Sequence, residues 1–427
     1  MPGMEAHRID EPVFNGRVVV YEAGRGRARS IVLVHGIGQE GARDYRDQIA
    51  WLEQSFHVVA IDLPGFGASD QANVLYSPSN YARVLKHVTD RFVRRPFVLV
   101  GHSMGAVVSL RYAAAYPGDV ERLAVADAPG VLHRYVATSQ FLAQLGLEFV
   151  PPFLDPLERF TNFARRLLAP LERLTVDPQI ILSSPYLRQT LLGSDPAKIA
   201  GLAVVSEDLR RVLPEVRADT LILWGARDTI APLRTAKVLA LKLPNSRLVV
   251  LERAAHEPML EAPERFRAEL EAFLERGLPP APAAVALPGK HGVTICRNER
   301  NTVFEGEYKA LTLDRCPGAK IRNARVLELR VLDSSVTIVD SHIGGGETGL
   351  YARASTIEMT GGRIEGDVAI TAIESRLDLA AIEVEGRTAA VTAPTKSYVA
   401  FSLSRVQSPH TWGDVHDFYT VTPRNPL

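Results

Sequence analysis

The stretch Gly101-His102-Ser103-Met104-Gly105 sets a serine between two glycines in the spacing Gly-x-Ser-x-Gly. Val98, Leu99 and Val100 before it read as the end of a buried strand, and Ala106 to Tyr116 after it has helical length and composition. A strand that turns sharply into a helix around a serine is a nucleophile elbow. A Cβ at either glycine would crowd the crossing of strand and helix. The helix then aims its first N–H groups at the place where negative charge would develop. A serine hydroxyl is a poor nucleophile near neutral pH, so Ser103 needs a base within hydrogen-bond reach and a group that orients that base. The chain offers His35, His102 and His256 for the one role, and Asp62, Asp127 and Asp228 for the other.

The elements that must position these groups alternate. Strands are expected at Arg17 to Glu22, Ser30 to Gly36, Phe56 to Asp62, Phe97 to Val100, Leu123 to Asp127, Thr220 to Gly225 and Ser246 to Leu251. Helices are expected at Tyr45 to Gln54, Ser79 to Arg94, Ala231 to Leu241 and Pro263 to Arg276. Continuous apolar runs such as Ile31-Val-Leu-Val34 mark strands buried on both faces, so the fold class is α/β with a parallel sheet. From about 131 to 213 the text turns helical and proline-punctuated before the sheet resumes, which reads as a helical cap.

Residues 15–277 resemble the α/β-hydrolase superfamily, specifically its capped members: esterases, C–C bond hydrolases and perhydrolases. His35-Gly-Ile-Gly38 is similar to the family's oxyanion loop, and Asp62-Leu-Pro-Gly-Phe-Gly-Ala-Ser69 to the turn after its next strand. Trp224-Gly-Ala-Arg-Asp228 resembles the acid turn and Ala255-His256-Glu-Pro the histidine loop, in the order Ser, Asp, His that this fold uses. The resemblance implies Ser103 as nucleophile, His256 as base, Asp228 as acid, and the backbone N–H groups of Ile37 and Met104 as oxyanion donors. Asp127, at the end of the strand after the elbow, is the rival acid; Asp228 is preferred because its turn matches. His102 and His35 are expected to brace loops, Asp62 to form a turn, and His87 and His133 to lie on helix faces. Relatives that open epoxides or remove halides carry an aspartate where Ser103 stands, so the serine implies acyl transfer. The expected function is hydrolysis of a carboxylic ester through an acyl-enzyme. The alternatives are a C–C bond hydrolase, or a scaffold or glycan-binding protein with a vestigial triad. Leu142, Leu145, Leu147, Phe149, Phe153 and Phe160 either line an acyl pocket or pack against the main domain, and the former favours a small-molecule ester with an apolar acyl chain.

The hydrolase-like domain is expected over 1–277, a Pro/Ala-rich linker over 278–289 and a second domain over 290–427. There the pattern repeats: Ser334, Val336, Ile338 and Ile343; Ser355, Ile357, Met359 and Ile364; Ser375, Leu377, Leu379 and Val384; Ser397, Val399, Phe401 and Val406. Pro317, Ala319, Ile321 and Val326 form a weaker copy. A period near 20 residues with alternating apolar positions is a solenoid signature, because one coil cannot bury its own apolar face. This part resembles a right-handed parallel β-helix of the pectate-lyase-like type, although Asp333, Asp340 and Glu347 are scattered acids and not a catalytic cluster. His342 and Gly344 to Gly346 are placed in a loop. The aromatic tail from His410 to Tyr419 is expected to cap the open end. Glycan contact, self-association or a second, polysaccharide-cleaving activity are the partner readings for this domain.

Composition excludes more than it names. Lys+Arg and Asp+Glu are both 49 among 427 residues, so no global field favours nucleic acid. No apolar run is long enough to span a bilayer. No metal motif and no complete dinucleotide fingerprint occurs, so neither metal nor cofactor is expected. The two cysteines, Cys296 and Cys316, are expected as buried free thiols, which fits a reducing compartment. Without an apolar leader the expected location is cytoplasmic; a chain trimmed of its leader would read the same way.

Overall fold

The computed structural model describes residues 4–133, 178–278 and 289–427. The apolar cap positions Leu142, Leu145, Leu147, Phe149, Phe153 and Phe160, and most of the linker, lie outside the described residues. The chain divides into two compact units, Met1–Ala281 and Pro282–Leu427.

The first unit runs β1 (Glu5–Glu11), β2 (Gly16–Ala23), β3 (Ser30–Val34), α1 (Arg46–Leu52), β4 (His57–Asp62), α2 (Pro78–Phe92), β5 (Phe97–His102), α3 (Met104–Ala115) and β6 (Val120–Ala126). After the undescribed stretch come α4 (Pro178–Ser183), α5 (Pro185–Leu192), α6 (Pro196–Val205), β7 (Asp219–Gly225), α7 (Leu233–Lys242), β8 (Ser246–Leu251), α8 (Pro258–Glu261) and α9 (Pro263–Arg276). The strands form one eight-stranded sheet in the order β1-β2-β4-β3-β5-β6-β7-β8. β3 to β8 pair in parallel, and β2 joins β4 antiparallel with β1 beyond it. The apolar runs in β3, β4 and β5 are buried at every residue, as strands covered on both faces require. β1 had no signal in the sequence. Its residues Glu-Ala-His-Arg-Ile-Asp-Glu are those of a polar edge strand, with only Ile9 and Glu11 buried.

Helix starts follow their caps. Pro78 opens α2 after Ser77, whose hydroxyl accepts from Asn80 N at 3.3 Å, and Pro196 opens α6 after Asp195, whose carboxylate accepts from Ala197 N at 2.9 Å. His133 is buried in non-helical backbone after β6, so its expected place on a helix face does not hold.

The second unit is all β: β9 (Lys290–Arg297), β10 (Val303–Asp314), β11 (Ala319–Leu332), β12 (Ser335–Gly344), β13 (Thr348–Arg353), β14 (Thr356–Ile373), β15 (Arg376–Ala380), β16 (Glu383–Thr392), β17 (Ser397–Gln407) and β18 (Trp412–Val421). β9 to β17 stack in parallel as the coils of a parallel β-helix. The repeat read from the sequence is the register itself. Val336 pairs with Ile357, Ile357 with Leu377, and Leu377 with Val399. Ile343, Ile364, Val384 and Val406 form a second such row, and Ala319 and Ile321 extend the first pattern one coil earlier. All these side chains are buried in one continuous apolar column.

The repeated serines form a ladder. Ser334 N donates to Ser355 Oγ (3.1 Å), Ser355 N to Ser375 Oγ (3.2 Å) and Ser375 N to Ser397 Oγ (3.2 Å). Each hydroxyl therefore satisfies a buried corner amide that the strand ladder leaves open. β18 pairs antiparallel with β17 and supplies the closing strand expected of the tail.

Two expectations are corrected. Cys296 and Cys316 are joined in a disulfide and are not free thiols. Both are buried in the apolar column on neighbouring coils, which brings the sulfurs together. The bond removes the cysteine argument for a reducing compartment. His342 and Gly344 lie within β12 and not in a loop: His342 pairs with Arg325 and Arg363 on adjacent coils, and its ring meets the Glu365 carboxylate at 3.0 Å.

Candidate active site

Ser103 stands between the end of β5 and the start of α3, with φ 51°, a left-handed conformation that costs a non-glycine residue energy. The turn survives because its neighbours are small. A Cβ at Gly101 would come within 2.4 Å of Gly105 O, and one at Gly105 within 2.2 Å of Val34 O. The strained serine is thereby presented at the carboxyl edge of the sheet, where open α/β sheets bind ligands.

Three strand ends converge there. His256, in the loop after β8, faces Ser103 with Nε2 at 2.9 Å from Oγ. Its Nδ1 lies 2.8 Å from Asp228 Oδ2, in the turn after β7. Asp228 Oδ1 accepts from Ile230 N (2.7 Å) and Ala231 N (2.9 Å), so the carboxylate is locked before it meets the ring. That bonding sets the tautomer: Nδ1–H donates to Asp228, and Nε2 accepts from the Ser103 hydroxyl. Ser103 and Asp228 are buried, whereas His256 keeps 17% side-chain exposure.

The residues expected as oxyanion donors flank the serine. Met104 is the first residue of α3, whose opening N–H groups have no intrahelical acceptor. The loop 35–38 after β3 closes against the elbow, and a Cβ at Gly36 would lie 2.9 Å from Ser103 Cβ. Ile37, next along that loop, is 41% exposed.

Around this set stand groups that hold loops. His102 Nε2–H donates to His256 O at 2.6 Å, tying the elbow to the histidine loop. Burial, and then His256 beside it, push the His102 ring down to about 3, so it stays neutral. His35 Nδ1–H donates to Gly36 O (2.6 Å) and its Nε2 accepts from Leu63 N (2.9 Å); burial lowers its pKa as well. Asp62 accepts from Ala42 N (2.7 Å), Ala68 N (2.9 Å) and Tyr21 Oη (3.1 Å), as a turn-former does. Asp127 is fully buried behind Asp228 and bonds to Gly225 N at 3.0 Å.

Sequence reasoning did not find Asp44. This half-buried carboxyl, in the turn Gly41–Tyr45, is pushed up to about 6 by burial, then by Glu257 and Glu40. Burial and a charge more than 200 positions away, Glu257, are not signalled by any local motif. Among the described residues, Asp127, Asp228 and His256 bring ligand-type atoms within 4.8 Å of one another, and so do Glu5, His7 and Glu22. Glu22 already meets His57 (2.7 Å), His7 (3.0 Å) and Arg25 (2.5 Å).

The family model for the alpha/beta hydrolase family matches residues 31–269, just over half of the chain. The chain belongs to this family. It is 28% identical over 265 residues to the pimeloyl-[acyl-carrier protein] methyl ester esterase of Vibrio atlanticus, covering 59% of this chain and 96% of that one. It is 30% identical over 266 residues to a 2-hydroxy-6-oxononadienedioate/2-hydroxy-6-oxononatrienedioate hydrolase of Paraburkholderia phymatum, covering 60% and 91%. Among solved structures, an esterase from Exiguobacterium antarcticum matches with a TM-score of 0.48 and 21% identity over 64% of this chain and all of that one. The protein is thus a hydrolase by family. No helix among the described residues is long and apolar enough to cross a membrane.

Proposed function

We propose that the chain hydrolyses a carboxylic ester through Ser103, His256 and Asp228. The observation that carries this is the unbroken hydrogen-bond chain Oγ–Nε2 (2.9 Å) and Nδ1–Oδ2 (2.8 Å) built from three separate strand ends. In this reading His256 takes the Ser103 proton as Oγ attacks the acyl carbon. Asp228 stabilises the imidazolium without itself becoming protonated. The tetrahedral oxyanion rests on the N–H groups of Met104 and Ile37, each of the order of 2.7–4 kcal/mol in barrier height. His256 then gives its proton to the leaving alcohol, and a water activated by the same ring releases the acid from the acyl-enzyme. An intact relay favours this over the reading of a scaffold with a vestigial triad.

Relatives include both an ester hydrolase and a hydrolase of an oxo-dienedioate, and serine chemistry serves either substrate. An apolar acyl ester remains our reading of the substrate. A panel of p-nitrophenyl esters on the full chain tests it. We expect kcat/KM to rise from acetyl to a medium chain. A steady fall from acetyl onward rejects the apolar acyl preference. No ester turnover beside turnover of a vinylogous 1,5-diketone favours the C–C reading.

For the second unit the pectate-lyase-like kinship is proposed from its stacked parallel coils alone, and glycan or self-contact stays a proposal tested by glycan arrays and sedimentation.

A further inference from the structure

Asp127 is a buried titratable group beside Asp228 and His256 to which the mechanism gives no part. It follows β6 directly, is wholly buried, and holds a left-handed backbone at φ 48°. Strain of that kind at a strand end places a side chain where a relaxed residue would not. One oxygen, Oδ1, accepts from Gly225 N at 3.0 Å and so anchors the turn that carries Asp228. That turn has no slack, since a Cβ at Gly225 would lie 1.8 Å from Ala255 O, next to His256. The other oxygen, Oδ2, is buried and meets no hydrogen-bond partner among the described residues. A carboxyl oxygen of Asp127, one of Asp228 and a ring nitrogen of His256 lie within 4.8 Å of one another.

Two carboxylates this close in a buried site each disfavour the other's charge, so one of them favours the protonated form. Asp228 has two backbone N–H donors and an imidazole N–H, whereas Asp127 has one N–H and an empty oxygen. We propose that Asp127 and Asp228 form a pair holding one negative charge, in which Asp127 carries the proton, positions the acid turn and serves as reserve acid for His256. This rests on the serine-hydrolase reading of the same site.

The groups facing Asp127 agree. Burial, then the charge of Asp228, push its carboxyl up to about 10, Glu261 adds in the same direction, and only Gly225 N–H opposes. The charge count also closes. When His256 takes the Ser103 proton, one imidazolium faces one carboxylate. When Asp228 is made neutral, Asp127 loses its proton to solvent and its carboxylate takes the place facing the ring.

The test uses the full chain with Asp127→Asn, Asp228→Asn and the double variant, each checked for folding by near-UV circular dichroism. Kinetically, Asp228→Asn should lose about 10²-fold in kcat/KM and the double variant about 10⁴-fold, the usual cost of a missing acid. Asp127→Asn should lose about threefold to tenfold, with an altered pH profile. Loss of about 10⁴-fold from Asp228→Asn alone overturns the reserve role. Infrared difference spectra read the proton directly and need no turnover. A protonated-carboxyl band at pH 8 should vanish in Asp127→Asn and become a carboxylate band in Asp228→Asn. No such band in the wild type overturns the pair. Hydrolysis that survives Ser103→Ala defeats the serine-hydrolase reading instead, and leaves the infrared result standing.

Discussion

At the scale of single residues the meeting of Ser103, His256 and Asp228 was legible because each sits in its own short turn. Ser103, Asp228 and His256 follow β5, β7 and β8, and a few neighbours identify each turn. What joins the turns was not legible: His102 reaching His256 O spans 154 positions, and the charge sharing of Asp127 with Asp228 depends on a Cα placement that no local pattern encodes. Asp44 provides a test at this scale. Its carboxyl is raised from 3.8 to about 6, so the uncharged form is the one the fold favours. That contribution is whole below about pH 4 and is lost as pH rises through 6. Asp44→Asn should therefore stabilise the protein at pH 8 by about 1 kcal/mol, discounted for partial exposure, with the gain shrinking toward pH 4.5. Thermal unfolding at the two pH values measures this, and an equal or opposite shift at pH 8 contradicts it.

At the scale of elements, alternation placed the parallel strands and their helices to within about three residues, because the core strands carry continuous apolar runs. β1 escaped because an edge strand needs no such run. The elbow makes a sharp prediction. Gly105→Ala puts a methyl group against Val34 O and His35 O, so β3 and α3 must part. Activity should fall by at least about 10²-fold, as remote misplacement by 1 Å can cost, with the fold retained by circular dichroism. In the second unit the period was visible but the use of its serines was not, since a hydroxyl's partner lies one coil away. Ser355→Ala strands the buried Ser334 N–H. The cost should be about 1–3 kcal/mol in denaturant unfolding of that unit, and a change under 0.3 kcal/mol would show the ladder to be idle.

At the scale of the whole molecule, the Pro/Ala-rich stretch 278–289 and the repeat that follows it indicated a second domain, and the chain divides within that stretch. The cysteines were misread because a separation of 20 in sequence fits stacked thiols and a bond equally well. Protein purified without reductant should show no free thiol under denaturing titration with Ellman's reagent. Cys316→Ser, or reduction, should cost the second unit about 3 kcal/mol for a loop of this length.

The central claim is that Ser103 is a nucleophile driven by His256 and Asp228. Its most direct measurement is covalent labelling of the full chain by a fluorophosphonate, followed by intact mass and peptide mapping. The account predicts one adduct, on Ser103, absent in Ser103→Ala and slowed about 10³-fold or more in His256→Ala. An unlabelled wild type, or an adduct that persists in Ser103→Ala, would contradict it.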